Sequence, residues 1–264
     1  MRPHFPTPSW SNRLRLVSED TEVTGSEVPQ WLLERFVFVE QAEREETGKQ
    51  AQAPPLPDVF VPENYEPNYA YPLIVWLTDP AHSEEQLLEL TRQLSPQNYL
   101  ATVLPGCGLT EHSFYSLTGI VRFPIEELAG LVYSQVKWLR RLLHVHTERV
   151  YVAGCDLSGR LALELLLHRP DWFGGALAFG EVGAPEGASL SHYHQLRGKR
   201  VFLAADLRSP RRSLQLFLRT SRLLHAGGLD VQARIYEAEQ SLTKEMLADA
   251  DRWLIEGILA ADTI

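Results

Sequence analysis

A strand-like segment passes abruptly into a helical segment near the middle of the chain. Residues 149–154 are mostly apolar, residues 161–168 favour a helix, and only a short turn around Asp156 separates them. Small residues at Gly154 and Ser158 let the backbone bend tightly and let the strand and the helix approach each other. A turn of this kind predicts an α/β architecture.

Strand-like and helix-like segments alternate along the rest of the chain. Residues 72–77 form a continuous apolar run, which is typical of a strand buried on both faces of a parallel sheet. Repeated strand–helix pairing predicts a mostly parallel sheet of about eight strands with helices on both faces. The predicted strands are residues 36–39, 58–62, 72–77, 99–104, 149–154, 175–179, 200–204 and 231–236. The predicted helices follow Ser83 and Pro124 or cover residues 161–168, 213–225 and 243–259.

Size and composition restrict the class of protein. A chain of 264 residues with 44% hydrophobic content can bury one large core. Residues 1–30 are rich in Pro, Ser, Thr and acids, so we expect a loosely ordered extension there and a single domain over residues 31–264. No apolar run approaches about 18 residues, so we expect no membrane span.

Charge and cysteine content exclude several partners and settings. The net charge of −9 argues against a nucleic acid or an anionic membrane as the partner. Cys107 and Cys155 are the only cysteines, too few for a disulfide framework and too far apart for a zinc knuckle, and a reducing cytoplasm fits best. The His-x-His pairs that begin at His144 and His192 show no third ligand in the sequence. We therefore expect no metal and no cofactor.

The turn around Asp156 has the layout of a nucleophile elbow, in which G-x-S-x-G holds a serine between a strand and a helix. The segment Gly154-Cys-Asp-Leu-Ser158 resembles the carboxylesterase/phospholipase branch of the α/β hydrolases, the group that includes acyl-protein thioesterases. The resemblance covers roughly residues 58–258, and it implies the α/β-hydrolase fold and a triad in the order nucleophile, acid, base. Further similar segments, in matching order, are residues 72–77, 169–178, 206–210 and 227–236.

Each part of the triad departs from the pattern of that family. Asp156 stands at the position of the serine, and Asp206, in a D-x-x-x-P loop, stands at the position of the acid. Gln240 stands at or beside the position of the histidine, and the last histidine of the chain is His225, upstream of the final strand. The resemblance therefore implies triad-equivalent positions that have lost the nucleophile and the base.

The oxyanion loop departs as well. The family carries His-Gly after the strand of residues 72–77, whereas this chain has Thr78 and Asp79 followed by Pro80. Backbone N–H groups must point at the developing oxyanion, so a proline removes a donor and a carboxylate repels the charge. The oxyanion-equivalent residues are Thr78, Asp79 and Leu157.

Several alternatives stay open at this point. Asp156 is either a nucleophile, as in hydrolases that form an aspartyl ester, or a polar residue that caps the following helix. His82 or His112 would have to supply the base in an active enzyme. Ser158 is either a displaced nucleophile or a structural residue of the first helical turn, and Cys155 either packs beside the strand or is exposed with a lowered pKa.

The sequence favours an esterase-like protein that has lost its activity and has a binding, scaffold or regulatory role. The alternative is an active carboxylesterase-type hydrolase with a rearranged site that uses Asp156 as the nucleophile. The ligand is an unknown small molecule or a protein partner, and the oligomeric state is undetermined by the sequence.

Overall fold

A seven-stranded sheet lies at the centre of the residues that the computed structural model describes, which are 59–78, 82–104, 125–185, 193–206, 211–237 and 242–261. The strands are β1 (Val59–Phe60), β2 (Tyr71–Leu77), β3 (Leu100–Leu104), β4 (Val145–Cys155), β5 (Gly175–Phe179), β6 (Arg200–Asp206) and β7 (Asp230–Tyr236). The helices are α1 (Glu84–Leu94), α2 (Ile125–Leu142), α3 (Asp156–His168), α4 (Tyr193–Leu196), α5 (Arg211–Ala226) and α6 (Lys244–Ala261).

The order of the strands places a reversal beside the end of β4. The order is β1-β3-β2-β4-β5-β6-β7, with β1 antiparallel to β3 and every other pair parallel. From β2 the chain continues to β3 on one side of the sheet, whereas from β4 it continues through β5 and β6 to β7 on the other side. Ligands of open α/β sheets bind at such a switch point, beyond the carboxyl ends of the strands. Asp156 follows β4 directly and so stands at this position.

Two apolar layers hold helices on both faces of the sheet, as the sequence predicts. Alternate residues of β2 separate between the layers, with Leu73 and Val75 in one buried cluster and Ile74 and Trp76 in the other. The first cluster contains residues of α2, α3 and α5, and the second contains residues of α1 and α6. Because both faces are covered, β2 is apolar throughout its length.

The sequence predictions match the structure with some differences in the bounds. The mostly parallel sheet is confirmed, with seven strands among the described residues, and the predicted strand at residues 36–39 and the extension at residues 1–30 lie outside them. β4 begins at Val145, four residues before the predicted start at Arg149, because Val145 pairs with Tyr71 beyond an irregularity in the register. Polar residues from His146 to Arg149 hide this extension from an analysis based on hydrophobicity.

Helix α1 begins at the predicted cap. Ser83 Oγ accepts a hydrogen bond from the Gln86 amide at 3.3 Å, and Gln86 Oε1 accepts one from the Ser83 amide at 2.8 Å. This reciprocal capping box satisfies two amides that a helix start leaves without helical partners. Within the described part of the chain, none of the helices combines the length and apolarity needed to cross a bilayer.

A buried polar pair joins β2 to α1. The Trp76 indole N–H donates to Thr91 Oγ1 at 2.8 Å, and the Thr91 hydroxyl donates to the Leu87 carbonyl at 3.2 Å. Both Trp76 and Thr91 are fully buried. The pair fixes α1 over the strand that leads to Thr78.

We expect Thr91→Val to lower the free energy of unfolding by about 1–3 kcal/mol, because it leaves a buried indole N–H without an acceptor. Thr91→Ser is the matched control, since it keeps the hydroxyl and removes only a methyl group. Urea unfolding followed by circular dichroism measures both variants. Equal losses of stability in the two variants would show that the hydrogen bond contributes nothing.

Candidate functional site

The elbow is a sharp turn with an uncommon backbone conformation. Asp156 has φ +48°, one of two non-glycine residues with positive φ among the described residues. A side chain in this region costs on the order of 1–3 kcal/mol and persists only where its surroundings hold it. A Cβ added at Gly154 would lie 2.5 Å from the Ser158 carbonyl oxygen, so only glycine fits where strand and helix meet. The predicted strand-to-helix turn is confirmed.

The Asp156 carboxylate is seated against the loop that follows β5. Its Oδ1 accepts a hydrogen bond from the Glu181 amide at 2.6 Å. Gly180 has φ +82°, and a Cβ there would overlap Asp156 Oδ1. The Gly180 amide in turn donates to the Ala204 carbonyl at 2.8 Å, which anchors the loop to β6. The carboxylate thereby connects the ends of β4, β5 and β6.

The interpretation of Asp156 as a helix cap is wrong. The N-cap of α3 is Cys155, and α3 begins at Asp156 itself. Ser158 Oγ accepts from the Cys155 amide and donates to the Cys155 carbonyl, each at 2.9 Å. The Asp156 carboxylate instead accepts a hydrogen bond from the Glu181 amide, 25 positions away along the chain.

Ser158 and Cys155 are structural residues. The Ser158 side chain is 1% exposed and binds the Cys155 backbone. Cys155 is fully buried in the apolar cluster that contains Trp76 and Phe179. Neither side chain has the access to solvent that a nucleophile needs.

An open cleft of about 510 Å³ lies over the elbow. The described residues that line it are Asp156, Leu157, Arg160, Gly180, Glu181, Gly183 and Asp206. Asp156, Asp206 and Leu157 were identified from the sequence, and the structure brings all three to this cleft. Arg160 also forms an ion pair with Glu164 at 3.5 Å. Three carboxylates therefore line the cleft together with one guanidinium.

Sequence reasoning missed Glu181 and Gly180. The available signal was a glycine placed directly after the apolar strand of residues 175–179, at the sheet edge where Asp156 lies. A glycine at such a position indicates a close approach of the backbone to another group. Which group approaches follows only from the tertiary structure.

Thr78 contacts β3, not the cleft. Its amide donates to the Leu104 carbonyl at 3.3 Å, and its hydroxyl donates to the same oxygen at 3.2 Å. In this arrangement the Thr78 amide is already used by a neighbouring strand. Asp79 and Gln240 lie outside the described residues.

Among the described residues, no candidate base lies in the cleft over the elbow. His82 lines a separate groove along α1, and His112 lies outside the described residues. No histidine occurs among the described residues that line the Asp156 cleft. His144 is exposed, and its Nδ1 lies 3.1 Å from the Pro67 carbonyl. The described residues contain no group of three side chains arranged to hold a metal ion.

Tyr236 lies beside Asp206 at the end of the sheet but is engaged elsewhere. The two residues are register partners on β7 and β6. The Tyr236 hydroxyl donates to Asp249 Oδ2 at 2.8 Å. Burial, followed by the hydrogen bond to Asp249, raises the pKa of Tyr236 above its ordinary value. Tyr236 is therefore a neutral donor and not a base at physiological pH.

Several solved structures that are similar in fold to this chain are carboxylesterases. The carboxylesterase from Bacillus cereus is similar to this chain with a TM-score of 0.60 and 21% identity, over 71% of this chain and 89% of that one. The chain has the α/β-hydrolase fold. A phospholipase/carboxylesterase from Dyadobacter fermentans gives a TM-score of 0.54 and 15% identity, over 76% of this chain and 97% of that one.

The structure of a thermostable esterase is also similar to this α/β-hydrolase-fold protein, with a TM-score of 0.52 and 16% identity, over 75% of this chain but 58% of the esterase. No family model matches the chain, and no curated protein matches its sequence. At these identities the likeness establishes the fold, and the chemistry must be argued from the residues of the cleft.

The contact between Gly180 and Asp156 predicts a non-additive effect on stability. Gly180→Ala should destabilise the protein by about 2 kcal/mol or more, because the added methyl group meets the carboxylate at positive φ. In an Asp156→Ala background the same change should cost only about 1 kcal/mol, the part due to φ.

A double-mutant cycle by urea unfolding measures this coupling. Gly198→Ala is the matched control, since Gly198 has φ +78° and no atom near the position of its Cβ. Equal costs of Gly180→Ala in both backgrounds would show that the carboxylate does not occupy this place.

Proposed function

We propose that this α/β-hydrolase-fold protein is a non-catalytic relative of esterases with a binding, scaffold or regulatory role. One observation carries the proposal: the elbow residue is Asp156, whose carboxylate accepts a hydrogen bond from the Glu181 amide. The position that holds the nucleophile in this fold thereby serves to fix a loop. The cleft over the elbow is retained and remains available to a ligand.

The charges of the cleft oppose ester hydrolysis. Ester hydrolysis develops negative charge on the carbonyl oxygen, which needs N–H donors close by. Asp156, Glu181 and Asp206 instead line the cleft with carboxylates. The Thr78 amide donates to Leu104 and is not directed at the cleft. These features support a site that binds without stabilising an oxyanion.

The supply of a base is the second argument. An acyl or aspartyl intermediate turns over only if a base activates water. The last histidine in the sequence is His225, which is exposed on α5 and precedes β7. We infer from the sequence resemblance that Gln240 stands at or beside the base position. An amide side chain has no basic form that could accept the proton.

An active hydrolase that uses Asp156 as the nucleophile is the second candidate. The positive φ of Asp156 favours it, because a strained elbow is how this fold presents a nucleophile. Asp206 on the same cleft would be the acid. Against it, a carboxylate oxygen that accepts a hydrogen bond of 2.6 Å is stabilised as an anion and is less nucleophilic.

Partner and location are proposed on the same grounds. The cleft is suited to a small ligand or a protein segment, and we propose no cofactor and no nucleic acid. The acidic lining would repel a phosphate backbone. The buried free thiol of Cys155 is consistent with a reducing cytoplasm.

The direct test uses short-chain p-nitrophenyl esters. The purified protein should release p-nitrophenol no faster than a heat-denatured sample, and Asp156→Asn should leave the rate unchanged. The amide oxygen of the new side chain can still accept the Glu181 amide, so this variant preserves the fold. Robust turnover that Asp156→Asn abolishes would establish Asp156 as a nucleophile.

A repair series tests the assignment of the lost positions. Asp156→Ser alone should stay inactive, because a serine hydroxyl is a poor nucleophile without a base. Combining it with Gln240→His should give at most faint esterase activity, since each missing oxyanion donor costs on the order of 10²–10³ in rate. Adding Thr78→His and Asp79→Gly should raise the rate further.

Activity of Asp156→Ser alone at the level of the combined variants would contradict the assignment of Gln240.

A further inference from the structure

A second groove runs along the outer face of α1. Its volume is about 610 Å³, and its lining residues are His82, Glu85, Gln86, Glu89, Leu90, Gln93 and Leu242. Two leucines supply apolar surface and two glutamates supply negative charge, which Arg92 partly offsets through its ion pair with Glu89 at 3.1 Å. The groove shares no lining residue with the Asp156 cleft among the described residues, so it is a separate surface.

Two residues of the groove are close in sequence to the positions that depart from the esterase pattern. Thr78 and Asp79 are the oxyanion-equivalent residues, and His82 follows them closely in the sequence. Gln240 is the base-equivalent residue, and Leu242 follows it two positions later in the sequence. A segment bound in the groove would contact His82 and Leu242, which are close in sequence to these positions.

The beginning of the chain has the complementary composition. It contains Arg2, Arg13 and Arg15 and no acidic residue before Glu19, in a chain whose net charge is −9. Leucines at positions 14 and 16 alternate with two of these arginines, so an extended segment would present the arginines on one side and the leucines on the other. Basic and apolar side chains are what a groove of glutamates and leucines accepts.

The path of the chain permits this contact. Phe60, at the start of the described sheet, packs in the same buried cluster as Leu87 and Leu88 of α1. The described part of the chain therefore begins beside α1. About 40 residues separate Leu16 from Val59, and a chain of that length reaches far beyond the roughly 16 Å of an 11-residue helix.

We propose that residues 10–16 dock in the α1 groove of the same molecule. Arg13 and Arg15 lie against Glu85 and Glu89, and the alternating leucines lie against Leu90 and Leu242. The segment so bound also contacts His82 at one boundary of the groove. This contact is independent of whether the Asp156 cleft has any catalytic activity.

Hydrogen exchange of the full chain, read by mass spectrometry over residues 84–94, tests the proposal. Arg13→Glu with Arg15→Glu should speed exchange there by roughly tenfold, because the bound segment stabilises the helix. Glu85→Arg with Glu89→Arg should do the same, and combining all four changes should restore slow exchange. The control Glu126→Arg with Glu127→Arg removes two first-turn acids from α2 and should leave exchange in α1 unchanged.

A synthetic peptide of residues 8–18, added to the full-length Arg13→Glu/Arg15→Glu protein, should restore slow exchange in α1, whereas the same peptide with both arginines reversed should not. Equal exchange in the parent and in the Arg13→Glu/Arg15→Glu variant would overturn the docking. Failure of the fourfold charge reversal to restore protection would overturn the pairing. Protection that rises with protein concentration would assign the groove to a second copy and overturn docking within one molecule.

Discussion

The hydrogen bond between the Asp156 carboxylate and the Glu181 amide is the contact on which the architecture of the cleft depends. It holds a non-glycine residue at φ +48°, a conformation that an isolated chain avoids. It also draws the loop after β5 so close to the elbow that residue 180 must be glycine. Since that loop is bound to β6 through Ala204, one carboxylate relates three parallel strands at their carboxyl ends.

This arrangement separates the geometry of a hydrolase from its chemistry. The fold needs Gly154 at the crossing of β4 and α3, and it needs a residue that tolerates a sharp turn. It does not need that residue to be a nucleophile. With a carboxylate at the turn, the strain is balanced by a charge-assisted hydrogen bond. On the proposed loss of activity, the elbow is retained for the cleft that it shapes, beside Asp206 and Leu157.

Much of the fold was predictable because its signals are local. The continuous apolar run of β2, the capping box at Ser83 and the glycine before Asp156 each specify nearby structure. The early start of β4 was not predictable, because it depends on the pairing of Val145 with Tyr71 on a strand distant in sequence. The site divides in the same way. The order of residues placed Asp156 and Asp206 on one cleft, but the partner of the Asp156 carboxylate lies 25 positions away, and the local interpretation as a helix cap was wrong.

We propose that Asp156 anchors a loop and never forms a covalent bond to a substrate. A nucleophilic carboxylate would displace the leaving group of an alkyl halide or epoxide, and water would then attack the carbonyl of the alkyl–aspartyl ester, release the alcohol and leave its oxygen in the side chain. The direct measurement is mass spectrometry of the peptide that contains Asp156 after incubation with an alkyl bromide or an epoxide in water enriched in the heavy isotope of oxygen. We predict that the peptide gains neither heavy oxygen nor the mass of an alkyl group beyond a sample without substrate. Substrate-dependent gain of either at Asp156 would contradict the account.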